Sequence, residues 1–201
     1  MPATSARGVL QRLLSPFLHV AALLVSPASA WEPVTMRVPS HVFGPGSQQP
    51  FTTYFEGETR VRVSCIDDIV AWLQTCEYVS DLELFHERDV WQHPSSFETR
   101  KRGDCEDFAL WTWRKLAELG IDAEFFVGRV AGGDDPTARR QHAWIVFRVD
   151  GDEVLFEPAA RDRERMLQPL SAVKDAYVPH FSVDRHFVTC AFVGCLLTFP
   201  G

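Results

Sequence analysis

The 201-residue chain contains no C-x-x-C pair, no internal repeat and no low-complexity tract. Its five cysteines and seven histidines lack the spacing of a structural zinc site, which makes a metal-binding protein the weakest of the candidate functions. Positive charge is also scarce: the formal net charge is −7 and basic runs are short, which argues against nucleic acid as a partner. What remains is an ordinary globular composition, 46% hydrophobic and 23% charged.

The first thirty residues have the pattern of an export signal. Arg7 and Arg12 give a positive start, residues 13–25 are mainly apolar, and Ala28-Ser29-Ala30 fits a small-residue cleavage site. The apolar stretch is too short to span a bilayer, so we expect no membrane span in the mature chain. We therefore predict a signal peptide over residues 1–30 and an exported protein, periplasmic or secreted.

Two further regions follow the signal. Residues 31–62 are rich in Pro, Gly, Ser and Gln, and we expect an extended arm or loops that wrap the domain. Residues 63–201 are long enough for one domain with a full core. Disulfide pairing in an oxidising compartment stays open among Cys65, Cys76, Cys190 and Cys195.

A cysteine begins the most distinctive predicted helix, over residues 105–119. Asp104 is a suitable N-cap, Asp107 can complete a capping box, and Gly120 supplies the stop. The helix is apolar nearly all round and is expected to be mostly buried. Its solvent side is predicted to be a narrow polar stripe of Arg114, Lys115 and Glu118. At the helix N-terminus, the dipole and unpaired N–H groups favour the thiolate of Cys105.

Helical spacing comes first along the chain and strand patterns follow. A helix is expected from Ser64 to Cys76, and residues 91–94 are predicted to be a turn or loop. After Gly120, β-rich segments are separated by a loop over residues 131–136. Strands are predicted over residues 123–130, 141–149, 153–157 and 187–193. This order predicts an α+β fold with an antiparallel sheet.

The dipeptide Asp150-Gly151 predicts a two-residue hairpin turn. The register then places Ile145 opposite Phe156 on one apolar face. His142 and Glu157 fall diagonally on the other face, within reach of each other. The sequence therefore predicts an imidazole beside a carboxylate.

These residues form a coherent catalytic set. Cys105 would be the nucleophile, His142 the general base and acid, and Glu157 the group that orients the imidazole. The reaction would be acyl transfer through a thioester at an amide bond, and it needs no cofactor. The oxyanion would be held by the Cys105 backbone N–H, with Gln92 as a possible second donor.

The same segments resemble the bacterial transglutaminase-like cysteine proteinases. The resemblance covers residues 65–160 in order. The segments that carry it are Asp89 to Pro94 and the following Glu98, Gly103 to Ala109, His142-Ala143-Trp144, and Leu155-Phe156-Glu157. It implies a papain-like α+β core and a protein or peptide substrate. The third catalytic member of this family is usually aspartate, whereas Glu157 stands here. The family also includes periplasmic proteases that bind calcium through acids beside the nucleophile, and Asp104, Glu106 and Asp107 stand at such places.

Other functions fit the same residues. With an amine as acceptor in place of water, the site would be a cross-linking transglutaminase. A cell-wall peptide endopeptidase would share the Cys-His order and export, and a catalytically inactive binding domain would keep only the fold. The identity of the substrate and the oligomeric state stay open.

Overall fold

The computed structural model describes residues 29–132 and 135–196, without the side chains of 132–139 and 196. Residues 1–28 of the predicted signal peptide lie outside this part. Within the described ranges the helices are α1 (Ile66–Leu73), α2 (Asp81–Phe85), α3 (Pro94–Arg100), α4 (Cys105–Glu118), α5 (Arg163–Met166), α6 (Leu170–Val173) and α7 (Val193–Leu196). Short 3₁₀ turns occur at Ser40–Phe43, Phe51–Phe55 and Lys174–Ala176. No helix among the described residues is long and apolar enough to cross a membrane.

The strands form one large sheet and one small pair. They are β1 (Pro33–Met36), β2 (Glu77–Tyr78), β3 (Arg102–Gly103), β4 (Ala123–Gly132), β5 (Asp135–Val149), β6 (Asp152–Phe156), β7 (Leu167–Pro169), β8 (Tyr177–Val183) and β9 (Thr189–Phe192). The large sheet is antiparallel throughout, with the order β1-β9-β8-β4-β5-β6-β7, and β2 pairs with β3 in parallel. The predicted α+β fold is confirmed.

Alternation along the strands divides the apolar side chains between the two faces of the sheet. The face towards the helices carries residues such as Phe125 and Ile145, which pack with Trp111 and Trp113 of α4. The opposite face carries a second cluster that includes Phe126, Trp144, Leu155 and Phe192. Helix α4 packs against both β4 and β5, the central strands of the sheet.

Helix α4 begins at Cys105 as predicted, but its predicted polar stripe is wrong at two positions. Arg114 and Lys115 are buried, because the arm before α1 covers them. Arg114 donates hydrogen bonds to the carbonyl oxygens of Tyr54, Glu56 and Gly57 at 3.1, 3.0 and 2.6 Å. These bonds hold the arm against the nucleophile helix.

Lys115 is fully buried in a polar network of its own. Its Nζ donates to Thr59 Oγ1 at 2.7 Å and to the Val61 carbonyl at 2.6 Å. It also lies 3.2 Å from Glu98 Oε1, and the Glu98 carboxylate accepts from Trp111 Nε1 at 2.9 Å. The ammonium is therefore surrounded by oxygen ligands, as a buried charge requires.

The hairpin between β5 and β6 has the predicted register. Val149 faces Asp152 and Ile145 faces Phe156. Asp150 and Gly151 both have positive φ values, 52° and 90°, which is the backbone that this two-residue turn requires. The turn chemistry thus aligns the two strands that carry the predicted histidine and acid.

Several predicted boundaries are wrong. The predicted turn at 91–94 runs directly into α3, which begins with Pro94 at its first turn and is capped by the His93 side chain. Helix α1 ends at Leu73 rather than Cys76. The loop predicted over 131–136 is shorter, because β4 extends to Gly132 and β5 begins at Asp135. Free thiols are found at Cys65, Cys76 and Cys190.

Candidate active site

The end of the β5–β6 hairpin brings His142 and Glu157 together. His142 Nε2 lies 2.7 Å from Glu157 Oε2, and the two side chains are only 9% and 13% exposed. The β5–β6 ladder ends at Phe156, and the Glu157 backbone N–H donates instead to the Met166 carbonyl at 2.8 Å. Because this contact uses Nε2, the other ring nitrogen, Nδ1, is the one left to exchange a proton with a nucleophile.

The imidazole and carboxylate line a cleft of about 390 Å³. Small and apolar side chains from the end of β4 and from the segment after Glu157 form part of its wall. Tyr177 from the start of β8 closes one side, and its hydroxyl donates to Glu157 Oε2 at 3.0 Å. The complete lining is Tyr78, Val130, Ala131, Arg140, His142, Glu157, Ala159, Ala160 and Tyr177.

Cys105 lies beside the same strand. Burial raises the pKa of its thiol, and the backbone of Ala143, the residue after His142, is close enough to the sulfur to lower that pKa by a smaller amount. Burial is the main cause that raises the pKa of Tyr78, which lines the cleft, and Cys105 lies close enough to Tyr78 to add to this shift. In the described structure the thiol itself donates to Glu106 Oε2, at an Sγ–Oε2 distance of 3.1 Å. The structure therefore joins His142 to Glu157 directly, while the proton of the Cys105 thiol is directed to Glu106.

The electrostatics of Cys105 differ from the sequence prediction. Burial is the largest cause that raises the pKa of its thiol well above the ordinary value, followed by the charges of Glu106 and Asp104. The predicted preference for thiolate at the helix N-terminus is thus outweighed in this arrangement, because the first turn carries carboxylates next to the sulfur.

Gln92 is bound to Asp107. Its backbone N–H donates to Asp107 Oδ1 at 2.8 Å, and its Nε2 donates to Asp107 Oδ2 and to the Arg102 carbonyl, the latter at 2.9 Å. A Cβ on Gly103 would collide with both side chains, so glycine is required there. Asp107 consequently does not complete the predicted capping box. The oxyanion role of Gln92 stays a prediction, and it would require Nε2 to give up one of these bonds.

The carboxylates beside the nucleophile form a larger group than the sequence predicted. Asp104, Glu106 and Asp107 are joined by Asp81 and Asp89, and carboxylate oxygens of these residues fall in sets that lie within 4.8 Å of one another. Asp81 Oδ2 accepts from the Val90 backbone N–H at 2.5 Å. Asp81 Oδ1 and Asp104 Oδ1 are buried without a hydrogen-bond partner.

Titration of this acidic group reflects burial and mutual repulsion. Burial is the main cause that raises the pKa of Asp81 to about 6 and that of Asp107 to about 8, and nearby carboxylates add to both. The pKa of Asp104 and that of Glu106 are also raised, mainly by burial. Clustered, partly unpaired carboxylate oxygens are the ligands that a hard cation such as Ca²⁺ prefers, so these residues fit such an ion.

The sequence carried an incomplete signal for the two additional acids. Asp89 begins the segment that resembles the cysteine proteinases, but its position in the sequence predicts no role for it. Asp81 lies at the start of α2, next to a stretch without clear periodicity. Only the fold shows that α2 and the following loop meet the start of α4.

The family model described as bacterial transglutaminase-like cysteine proteinase matches residues 48–163. No curated protein sequence matches the chain.

Similar solved structures include two forms of LapG from Legionella pneumophila. The EGTA-treated form is 18% identical, with a TM-score of 0.45, and the match covers 58% of this chain and 60% of that one. The calcium-bound form is 18% identical, with a TM-score of 0.48 and coverage of 63% and 67%. A putative cysteine protease from Cytophaga hutchinsonii is 16% identical, with a TM-score of 0.41 and coverage of 69% and 43%.

Proposed function

The chain belongs to the bacterial transglutaminase-like cysteine proteinase family, and from this premise we propose that it hydrolyses an amide bond in a protein or peptide substrate through Cys105, His142 and Glu157. The observation that carries this proposal is the 2.7 Å contact between His142 Nε2 and Glu157 Oε2, at a strand whose next residue, Ala143, is close enough to Cys105 to affect the pKa of its thiol. A base held by an acid beside a cysteine is the arrangement that thiol-dependent acyl transfer needs.

Catalysis begins with transfer of the Cys105 thiol proton to His142 Nδ1. The sulfur attacks the amide carbonyl, and the imidazolium returns the proton to the departing amine, which leaves a thioester on Cys105. Water then gives a proton to His142 and attacks the thioester, and the carboxylic acid and the free thiol are released. Water is abundant and needs no second binding site, so hydrolysis is favoured over transfer to an amine.

Glu157 has two effects on this cycle. By accepting from Nε2–H, it selects the tautomer whose Nδ1 is free to take the thiol proton. Its negative charge also stabilises the imidazolium that forms when the sulfur is deprotonated. The backbone N–H of Cys105, at the start of α4, is suited to hold the oxyanion, because the first N–H groups of a helix have no partner within it.

We also propose that the acidic group at the start of α4 binds calcium. The oxygen ligands would come from Asp81, Asp89, Asp104, Glu106 and Asp107, and the unpaired buried oxygens of Asp81 and Asp104 support this. The ion would supply positive charge that offsets the carboxylates around the nucleophile. Calorimetry with Ca²⁺ tests this part: heat should be released with the wild type and lost in Asp104→Asn.

A control for the calcium measurement is Asp67→Asn, which removes an exposed carboxylate that pairs with Arg163 on the surface. This variant should bind Ca²⁺ as the wild type does. If the wild type gives no heat with Ca²⁺, or if Asp104→Asn binds as well as the wild type, the proposed ligands are wrong.

Hydrolysis is tested with a library of internally quenched peptides. Cys105→Ala and His142→Ala should abolish cleavage, whereas Glu157→Gln should reduce it partially, since the orienting residue is often less essential. Cys65→Ala is the matched control, because Cys65 is an exposed free thiol away from the cleft. Cleavage that persists in Cys105→Ala at the wild-type rate would refute the proposal.

Export to the periplasm or beyond is a separate proposal, supported by the pattern of residues 1–30. Mass spectrometry of the protein recovered from the exported fraction should find Trp31 as the first residue. An exported chain that still begins with Met1 would contradict cleavage.

A further inference from the structure

We propose that Tyr177 is a positioning residue that holds Glu157 in the geometry needed by His142; this inference rests on the function proposed above. Tyr177 begins β8 and pairs with Val130 of β4. Its hydroxyl donates to Glu157 Oε2 at 3.0 Å, and this is the same oxygen that lies 2.7 Å from His142 Nε2. The carboxylate oxygen is thus bound from two sides.

Glu157 depends on this second donor because nothing else in the described structure bonds its carboxylate. The other oxygen, Oε1, is buried without a hydrogen-bond partner. A glutamate side chain also has one more rotatable bond than an aspartate, so more conformational freedom must be lost when it is fixed. Without the tyrosine hydroxyl, only the contact with His142 would oppose rotation of the carboxylate away from the imidazole.

Tyr177 is itself held rigidly. It is 8% exposed, and its ring packs edge-on against Trp144, at 5.1 Å between centroids and 63° between planes. The indole Nε1 of Trp31 donates to the Tyr177 backbone carbonyl at 3.2 Å. Burial, and next the charge of Glu157, raise the pKa of the phenol, so the hydroxyl stays protonated and remains a donor at neutral pH. A rigid, permanently protonated donor is suited to fixing a carboxylate.

The experiment compares the ring-nitrogen ¹⁵N chemical shifts of His142 in the full chain and in three variants. Tyr177→Phe keeps the ring packing on Trp144 and removes only the hydroxyl. Glu157→Gln removes the charged acceptor. Ser182→Ala is the matched control, since it deletes a hydroxyl from the same strand that bonds Glu124 rather than Glu157.

In the wild type, the neutral ring should be the Nε2–H tautomer, because Glu157 accepts that proton. Tyr177→Phe should move both His142 shifts towards those of Glu157→Gln, and Ser182→Ala should leave them unchanged. If the His142 shifts of Tyr177→Phe equal those of the wild type while the shifts of Glu157→Gln differ from them, the inference about Tyr177 is wrong and the His142–Glu157 contact stands. If Glu157→Gln also overlays the wild type, the contact and the proposed catalytic set both fail.

Peptide hydrolysis gives a second readout that packing alone would not reproduce. Tyr177→Phe should lower kcat about tenfold at unchanged KM, as expected when a hydrogen bond to a charged group is lost. In the Glu157→Gln background the same substitution should change kcat less than twofold, because the charged acceptor is already gone. An equal loss in both backgrounds would show that Tyr177 acts through packing and would overturn the proposal.

Discussion

Glu157→Asp introduces the residue usual in this family, yet it should impair this chain. The substitution shortens the side chain by about 1.5 Å, one carbon–carbon bond. The contact with His142 Nε2, now 2.7 Å, would open to roughly 4 Å, beyond hydrogen-bond range. The Tyr177 bond at 3.0 Å would be lost as well. A hydrogen bond to a charged group contributes about 1.5–3 kcal/mol, so kcat should fall about 10- to 150-fold.

The assay is hydrolysis of the best peptide from the quenched library, with kcat and KM measured separately. Glu153→Asp provides the same chemical change on the same hairpin, at an exposed carboxylate 3.0 Å from Arg148 Nη2, and should leave kcat unchanged. KM should stay the same in both variants, because neither substitution alters the binding of the ground state. Wild-type kcat in Glu157→Asp would refute the claim that side-chain length fixes this geometry.

Two further predictions concern stability. Lys115→Met should lower the free energy of unfolding, measured in urea, by about 3–5 kcal/mol, because it leaves the buried Glu98 carboxylate without its counter-charge. The control Arg102→Met breaks an exposed ion pair and should lower the same free energy by less than about 1 kcal/mol. Equal losses in the two variants would contradict this prediction. Burial, with a smaller contribution from Arg129, lowers the pKa of His180 to about 4 in the folded chain. As the pH falls, His180 therefore takes up a proton in the unfolded chain before it does so in the folded chain. The free energy of unfolding should accordingly decrease between about pH 6.5 and pH 4, by up to about 3 kcal/mol. His180→Leu should remove that part of the pH dependence, and an unchanged pH profile of unfolding would disprove it.

The parts of the site that depend on local sequence were predictable. Asp150-Gly151 requires a particular turn, the turn aligns the two strands, and the period of two places His142 and Glu157 on one face. Cys105 is similarly located by the glycine before it and the apolar helix after it. In each case the interactions that set the position of the side chain join residues within about twenty positions of one another. The local sequence is therefore enough to predict that position.

The parts that depend on distant segments could not be read from the pattern. The sequence pattern predicts that Arg114 and Lys115 face solvent, whereas in the structure the arm covers them. Nothing in the pattern indicates that backbone carbonyl groups of the arm accept hydrogen bonds from these two charged side chains. The raised pKa of Cys105 likewise depends on its burial in the folded chain and then on how closely the surrounding acids pack. Asp81 joins those acids only through tertiary structure.

The bond from the Trp31 indole to the Tyr177 carbonyl has a practical consequence for recombinant work. Trp31 also packs against Phe126, with 5.4 Å between ring centroids. A chain that began two or three residues after Trp31 would lack the indole. It would leave a hollow on that face of the sheet and remove a hydrogen bond that holds β8 at Tyr177, which bonds Glu157. The first residue of a recombinant chain therefore affects how firmly the Tyr177 hydroxyl is held against Glu157.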